Sequence, residues 1–283
     1  MSMIKNLLDK LRGIVYVKRQ LKRQPSLTSD QKKDIFDTYM RTYVRDCSDE
    51  KRLDLMGYKL NICNYEGYKF LLNELFINQE YAFNGVGDAP FIIDCGSNIG
   101  MSIIFFKDRY ANAEIVAFEP DDEAFACLEK NVQENNFDKV TVNKKAVSKD
   151  GGEISFFVEG SGDGSLTSSL AETTNSRRVT IDSVKLSDFI DREVDILKMD
   201  IEGAETEVIQ ELSDAGKLRN IKQMSIEYHH HCYSAGDEMS KILQTLEQND
   251  FGYQLEAHLR RPFERDEEQG MIIYAYRKDA HPT

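Results

Sequence analysis

Phe91-Ile92-Ile93-Asp94-Cys95-Gly96-Ser97-Asn98-Ile99-Gly100 joins an apolar run to an acid and a loop of small residues. The three apolar residues before Asp94 suit a strand buried on both faces, and Gly96 and Gly100 let the backbone pass close to a ligand or a neighbouring strand. Met101, Ile104 and Phe105 then recur at helical spacing, so the stretch reads as strand, tight turn and helix, the helix starting about Gly100. In open α/β sheets a turn of this kind, at the carboxyl end of a parallel strand, is where nucleotide-like ligands bind.

The chain downstream keeps the same alternation. Short apolar runs at 91–94, 114–118, 140–142, 195–199 and 223–228 read as strands, and amphipathic stretches at 99–110, 122–135, 203–213 and 236–249 as helices. Two further strands, 253–256 and 270–276, are joined by the charged loop 260–268. The expected fold is α/β and Rossmann-like: a mixed sheet of about seven strands with helices on both faces. Between the third and fourth core strands, Glu153–Phe157 and Arg178–Ile181 look like an inserted strand pair. The Gly160–Ser165 loop and the Thr167-Ser168-Ser169 segment between them form either a lid or a plain connection.

Upstream, residues 1–24 carry Ile4, Leu7, Leu8, Leu11, Ile14, Val15 and Leu21 at helical spacing among seven Lys and Arg residues. Such a basic amphipathic helix can lie on an anionic membrane or pack on its own body or a second subunit. Residues 31–56 read as a helix ending near Gly57, 58–62 as a short strand and 68–76 as another helix. Residues 1–85 are therefore expected to form a mainly helical cap or oligomerisation surface. A hinge at Asn84–Asp88 leads into the main domain, 86–283.

With 41% hydrophobic and 30% charged residues over 283 positions, the chain can bury a sizeable core. Its net charge of −13 argues against a general affinity for nucleic acid. Five cysteines without a C-x-x-C pair suit a reducing cytoplasm, and no apolar run reaches the ~18 residues of a membrane span. The expected location is cytoplasmic, with residues 1–24 offering a peripheral contact at the inner membrane face.

The chemistry concentrates at strand ends. Asp94-x-Gly96-x-Asn98-x-Gly100 puts an acid where a dinucleotide's pyrophosphate would be repelled, which suits an ammonium- and sulfonium-bearing ligand, S-adenosylmethionine. Glu119, 25 positions later at the end of the next strand, suits both hydroxyls of a ribose, and Pro120 would start the following helix. Lys198-Met199-Asp200-Ile201-Glu202-Gly203-Ala204-Glu205 gathers three acids and a lysine at another strand end, where burial demands partners. In Ile226-Glu227-Tyr228-His229-His230-His231, period two puts Glu227 and His229 on one face. The three histidines invite a metal reading, but adjacent strand residues point opposite ways.

Together these strings resemble the FkbM family of class I S-adenosylmethionine-dependent methyltransferases over roughly Leu60–Tyr276. The resemblance also rests on Asn73-Glu74-Leu75-Phe76 with Glu80-Tyr81, on Ala117-Phe118-Glu119-Pro120 and on Ala146-Val147-Ser148. Cys95 and Ser97 stand where the family often has an aliphatic residue and alanine. The resemblance implies methyl transfer to oxygen, often a hydroxyl of a sugar or polyketide, with a glycan as the preferred acceptor. It further implies that Asp94, Gly96, Asn98 and Gly100 line the methionine part of the cofactor, Glu119 with Pro120 the ribose, and Asn143 to Val147, including Ala146, the adenine side. Tyr81 would close over the cofactor, and Asp200, Glu202, Glu227 and His229 would face the acceptor. His229, near its reference pKa of about 6.5, is the first choice of base and Asp200 the second. A divalent ion held by Asp200, Glu202 and Glu227 is the other route. Two further readings compete: an NAD(P)-type oxidoreductase, disfavoured by Asp94 and the missing third glycine, and a non-catalytic, membrane-associated binding module. Homo-oligomerisation is left open.

Overall fold

Helix α1 (Ser2–Lys22) is followed by α2 (Ser29–Tyr39), which starts at a capping box in which the Thr28 side chain and Gln31 each bond the other's backbone. The computed structural model describes residues 2–45, 48–159, 168–169, 176–230, 238–257 and 269–280. A π-helical stretch (Met40–Arg45) leads to the hairpin β1 (Arg52–Leu55) and β2 (Tyr58–Asn61). The helical reading of 52–56 is thus corrected. Leu53 and Leu55 are buried while Arg52 and Asp54 are exposed, a period of two, and Met56 and Gly57 take the positive φ of a tight hairpin turn (54° and 84°). Helix α3 (Tyr65–Leu71), capped by the Asn64 side chain, continues into a π-helical stretch, Leu72–Asn78.

From there the core unit runs β3 (Phe91–Cys95), α4 (Met101–Arg109), β4 (Glu114–Phe118), α5 (Asp122–Glu134) and β5 (Val140–Asn143). The Asp121 side chain caps α5, so Pro120 precedes the helix rather than starting it. Next come β6 (Ala146–Val147), β7 (Gly152–Glu159), β8 (Ser168–Ser169) and β9 (Ser176–Val184), a separate sheet in the order β6-β9-β7-β8. The expected strand pair is the antiparallel β7–β9 ladder. The glycine-rich loop 160–165 and Thr167 lie outside the described residues. The chain closes with β10 (Val194–Met199), α6 (Glu205–Asp214), β11 (Ile221–His230), α7 (Met239–Gln248), β12 (Phe251–Ala257) and β13 (Gln269–Arg277). His231 and the loop 260–268 also lie outside the described residues.

Among the described residues the main sheet has seven strands in the order β12-β13-β11-β10-β3-β4-β5, parallel except for β13, which runs antiparallel to both neighbours. Chain order reverses between β3 and β10, so the topological switch point lies there. Alternate strand residues feed two cores. Ile92, Ile115, Ala117 and Ile196 pack with α4, Leu128 of α5 and the N-terminal residues Val17, Ile35, Leu60 and Phe76. Ile93, Leu197, Met199 and Ile226 pack on the other face with Val208, Ile209, Ile242 and Leu246 of α6 and α7. Polar bonds join the N-terminal hairpin to the site as well: buried Asn131 donates to Asn61 O (3.0 Å) and Ile99 O (2.8 Å). The N-terminal region and the sheet therefore share one apolar core.

Candidate active site

At the switch point two loops touch. Asp200 N donates to Cys95 O at 3.0 Å, and a Cβ on Gly96, whose φ is +80°, would fall 1.7 Å from the Asp200 carbonyl oxygen. Only glycine fits between these main chains. We expect Gly96→Ala to lower stability by about 3 kcal/mol through left-handed strain and overpacking. An unshifted denaturant midpoint would remove this contact as the reason for the glycine.

The rest of the turn is tied to β4. Gly96 N and Ser97 N donate to Phe118 O, and Asn98 N donates to a Glu119 carboxylate oxygen at 2.7 Å. The other Glu119 oxygen accepts from Asp121 N at 2.9 Å. Burial pushes the Glu119 carboxyl up to about 7, and these two backbone bonds pull it back. Asn143 O accepts from Glu119 N, and the Asn143 side chain donates to Ala117 O. Gly96, Asn98, Gly100, Glu119, Pro120 and Asn143 therefore ring one edge, at the carboxyl ends of β3, β4 and β5. Ala146 and Val147 follow closely in sequence but are buried in the second sheet, paired with Ser183 and Val184 of β9.

Lys198 is the centre of the arrangement. Its ammonium, nearly fully buried, lies 3.7 Å from Asp94 Oδ1 and 3.4 Å from Asp200 Oδ2, and donates to Gly96 O. Burial works against this charge, yet Asp200, Asp94 and Glu227 hold it above the ordinary lysine pKa. Asp94 is sealed beneath the turn. Its Oδ2 accepts from Ser102 at 2.5 Å, and its Oδ1 has no hydrogen-bond partner among the described residues, leaving Lys198 to offset it.

β11 supplies the opposite wall. His229 Nδ1 sits 3.2 Å from Glu205 Oε1, which also accepts from Ile201 N and Gly203 N. His229 Nε2 lies 3.4 Å from Glu202 and 3.9 Å from Asp200. Burial would lower the imidazole pKa, but the Glu205 hydrogen bond and the charges of Glu205, Glu202 and Asp200 raise it well above 6.5. The expectation that His229 titrates near its reference value is corrected: beside Glu205, Glu202 and Asp200 it holds its proton more tightly than a free imidazole, which weakens it as a base. Glu202 is pushed up to about 8 by burial against the pull of His229. Glu227 rises to about 7 through burial and Asp200.

Tyr81 donates to Glu227 Oε2 at 3.1 Å, and Lys198 Nζ lies 5.5 Å from the centre of its ring. Beside them Glu74, from the stretch Leu72–Asn78, is pushed up to about 10 by burial, then by Glu227, Glu80 and Asp200. Sequence reading missed Glu74 as part of this wall. Its signals were an acid among Leu72, Leu75, Phe76 and Ile77 and its place in the Asn73-Glu74-Leu75-Phe76 string that carries the family resemblance. Among the described residues, Asp200, Glu202 and His229 offer possible metal-ligand atoms all within 4.8 Å of one another. Glu227, expected in such a set, is replaced there by His229, which would have to lose its proton to bind an ion.

Glu119, Glu227, Glu202, Glu74 and His229 all bind their protons more tightly in the folded chain than in the unfolded one. Stability from such groups is present below their unfolded pKa values and is lost as pH rises through the folded ones. The unfolding midpoint should therefore fall between about pH 6 and pH 9. A flat or rising midpoint across that window would contradict these placements.

The sequence profile of the methyltransferase FkbM domain matches residues 94–255, from the acid of β3 into β12. Methyltransferase 1 of Beauveria bassiana (strain ARSEF 2860) is 27% identical over 168 residues, covering 52% of this chain and 68% of that protein. Methyltransferase sdnD of Sordaria araneosa is 27% identical over 176 residues, covering 50% and 68% respectively. The crystal structure of methyltransferase FkbM from Methylobacillus flagellatus KT aligns with 95% of this chain at 16% identity and a TM-score of 0.47. The alignment takes in 60% of that chain, so the present chain spans less than two thirds of it. With the profile matched over more than half its length, from the glycine turn through the acid wall, this chain belongs to the FkbM methyltransferase family.

Proposed function

We propose that this chain transfers a methyl group from S-adenosylmethionine to a hydroxyl oxygen of a sugar, in a glycan or glycolipid precursor. The observation that carries the reading is the contact between the glycine turn and the acid wall at Gly96 and Asp200. The surrounding groups suit this cofactor. Lys198, the cation beside the turn, is already paired with Asp94 and Asp200, so a diphosphate would meet carboxylates, whereas an ammonium and a sulfonium meet complementary charge. Glu119 has one backbone bond on each oxygen and keeps a further lone pair on each for ribose hydroxyls. Gly96, Asn98 and Gly100 would hold the methionine part, and Asn143 with the Ala146–Val147 segment the adenine side. S-adenosylmethionine, when bound, supplies a methyl carbon on a positive sulfur, open to attack by an oxygen as the carbon–sulfur electron pair leaves to sulfur.

An alcohol attacking that carbon must give up its proton. Asp200, half-buried and facing both Lys198 and His229, takes it in our reading, with Glu227 as the neighbouring acceptor. The His229 charge opposes the burial that raises Glu202 and Glu227, and so limits how tightly both hold their protons. Tyr81, whose hydroxyl is bonded to Glu227, would close over the cofactor beside the acid wall.

Calorimetric titration with S-adenosylhomocysteine and with NADH should show binding of the first alone. Mass spectrometry of glycans and lipids extracted with and without the active protein should show a methyl difference on sugar. A difference confined to protein or nucleic acid would overturn the acceptor class. The convergence of Asp200, Glu202 and His229 favours a second reading, in which a divalent ion acidifies the hydroxyl. Chelator leaves turnover unchanged if Asp200 alone takes the proton, and abolishes it if the ion is required.

A further inference from the structure

Helix α1 has two unlike faces. Val17 and Leu21 are buried against the body, a Cβ on Gly13 would fall 2.1 Å from the Tyr39 hydroxyl, and Lys10 donates to Val44 O at 2.9 Å. Away from that contact, Leu7, Leu8, Leu11 and Val15 are 59, 49, 49 and 66% exposed. At 3.6 residues per turn these four share one arc about 100° wide. Arg12 and Arg19 border it, and Lys18 and Lys22 continue it toward the end of the helix.

Charge points to the occupant. α1 carries six Lys and Arg residues against one acid, Asp9, on a chain of net charge −13, so the rest of the molecule holds all the negative excess. An anionic lipid surface attracts this helix and repels the body, which fixes the orientation. The apolar arc spans a few hundred Å² at most, well under the roughly 800 Å² per partner of a stable protein interface. A second copy meeting it about a two-fold axis would also bring the same basic border against it. Among the described residues no helix is long and apolar enough to cross a membrane.

We propose that α1 lies in the surface of an anionic bilayer. Leu7, Leu8, Leu11 and Val15 sink among the acyl chains, and Arg12, Lys18, Arg19 and Lys22 meet the lipid phosphates. The helix also touches the wall of the candidate active site: Tyr16 donates to Asn78 at 2.8 Å, and Asn78 donates to Glu80, next to Tyr81. For a lipid-linked sugar, which rests on the reaction proposed above, this contact would bring acceptor and bilayer to the same side. Vesicle binding tests the surface without any turnover, so the two readings can fail separately.

The full chain is sedimented with vesicles of phosphatidylcholine alone, or with roughly one third phosphatidylglycerol. We expect pelleting with the anionic vesicles only, weakening as salt is added. The variant Leu7→Ser/Leu11→Ser/Val15→Ser and the variant Arg12→Glu/Arg19→Glu should each bind at least about tenfold more weakly, with unfolding midpoints unchanged. No pelleting with anionic vesicles, or pelleting of either variant equal to that of the parent chain, overturns the proposal. So does a dimer, seen by light scattering, that the serine variant converts to monomer, since the face would then belong to a second copy.

Discussion

Lys198→Met is expected to lower the unfolding free energy by roughly 3–5 kcal/mol, the range for removing one partner of a buried ion pair. Methionine fills the same space, so the loss is one of charge rather than volume. Asp94 is fully buried, and the Lys198 ammonium is what stands opposite its Oδ1. Without it a carboxylate is stranded under the glycine turn, and Gly96 O loses its donor as well. Urea unfolding measures the effect. Adding Asp94→Asn to Lys198→Met should recover part of the loss, because the stranded charge goes with it. An unshifted midpoint in the single variant would mean that Lys198 is not what holds this turn.

The second large effect is on turnover. Asp200→Asn should slow methyl transfer by about 10²–10⁴, the usual contribution of a positioned base, while S-adenosylhomocysteine affinity stays close to that of the parent. His229→Gln should act differently, because it removes a cation and no base. Glu202 and Glu227 would lose the charge that pulls their pKa values down, so both rise further above about 8 and about 7. The acidic limb of the rate profile then moves to higher pH, and the loss is greater near pH 6 than near pH 9. A His229→Gln variant equally slow at every pH would leave the imidazolium a purely steric role. Full turnover in Asp200→Asn would remove Asp200 as the base.

Strands, helices and the glycine turn were legible because their signals are local. A run such as Phe91–Ile93, stopped by an acid and glycines, suits a strand buried on both faces, and Gly96 and Gly100 announce the turn in the residues themselves. The hairpin at Arg52–Leu55 was misread since four residues with two leucines satisfy a helical and an alternating pattern alike. The wall of the site was less legible, being made of distant partners. Tyr81 and Glu227 meet across 146 positions, and the turn of Lys198 onto Gly96 spans 102. No spacing rule connects Glu74 with Glu227. The protonation of His229 was hidden for the same reason: it depends on three carboxylates from another loop, not on the histidine's own neighbours along β11.

β13 is the last strand of the main sheet in sequence, yet it lies inside it, between β11 and β12. During synthesis β3, β4, β5, β10 and β11 can all pair before residues 269–277 exist. Until then the outer edge of β11, the strand bearing Glu227 and His229, offers unsatisfied backbone groups to any passing strand. At roughly 5–20 residues per second, the stretch of about 40 residues between β11 and β13 takes a few seconds to emerge. The nascent chain thus passes through an interval in which one half of the candidate site is assembled and the other lies on an open edge, when a chaperone would matter most.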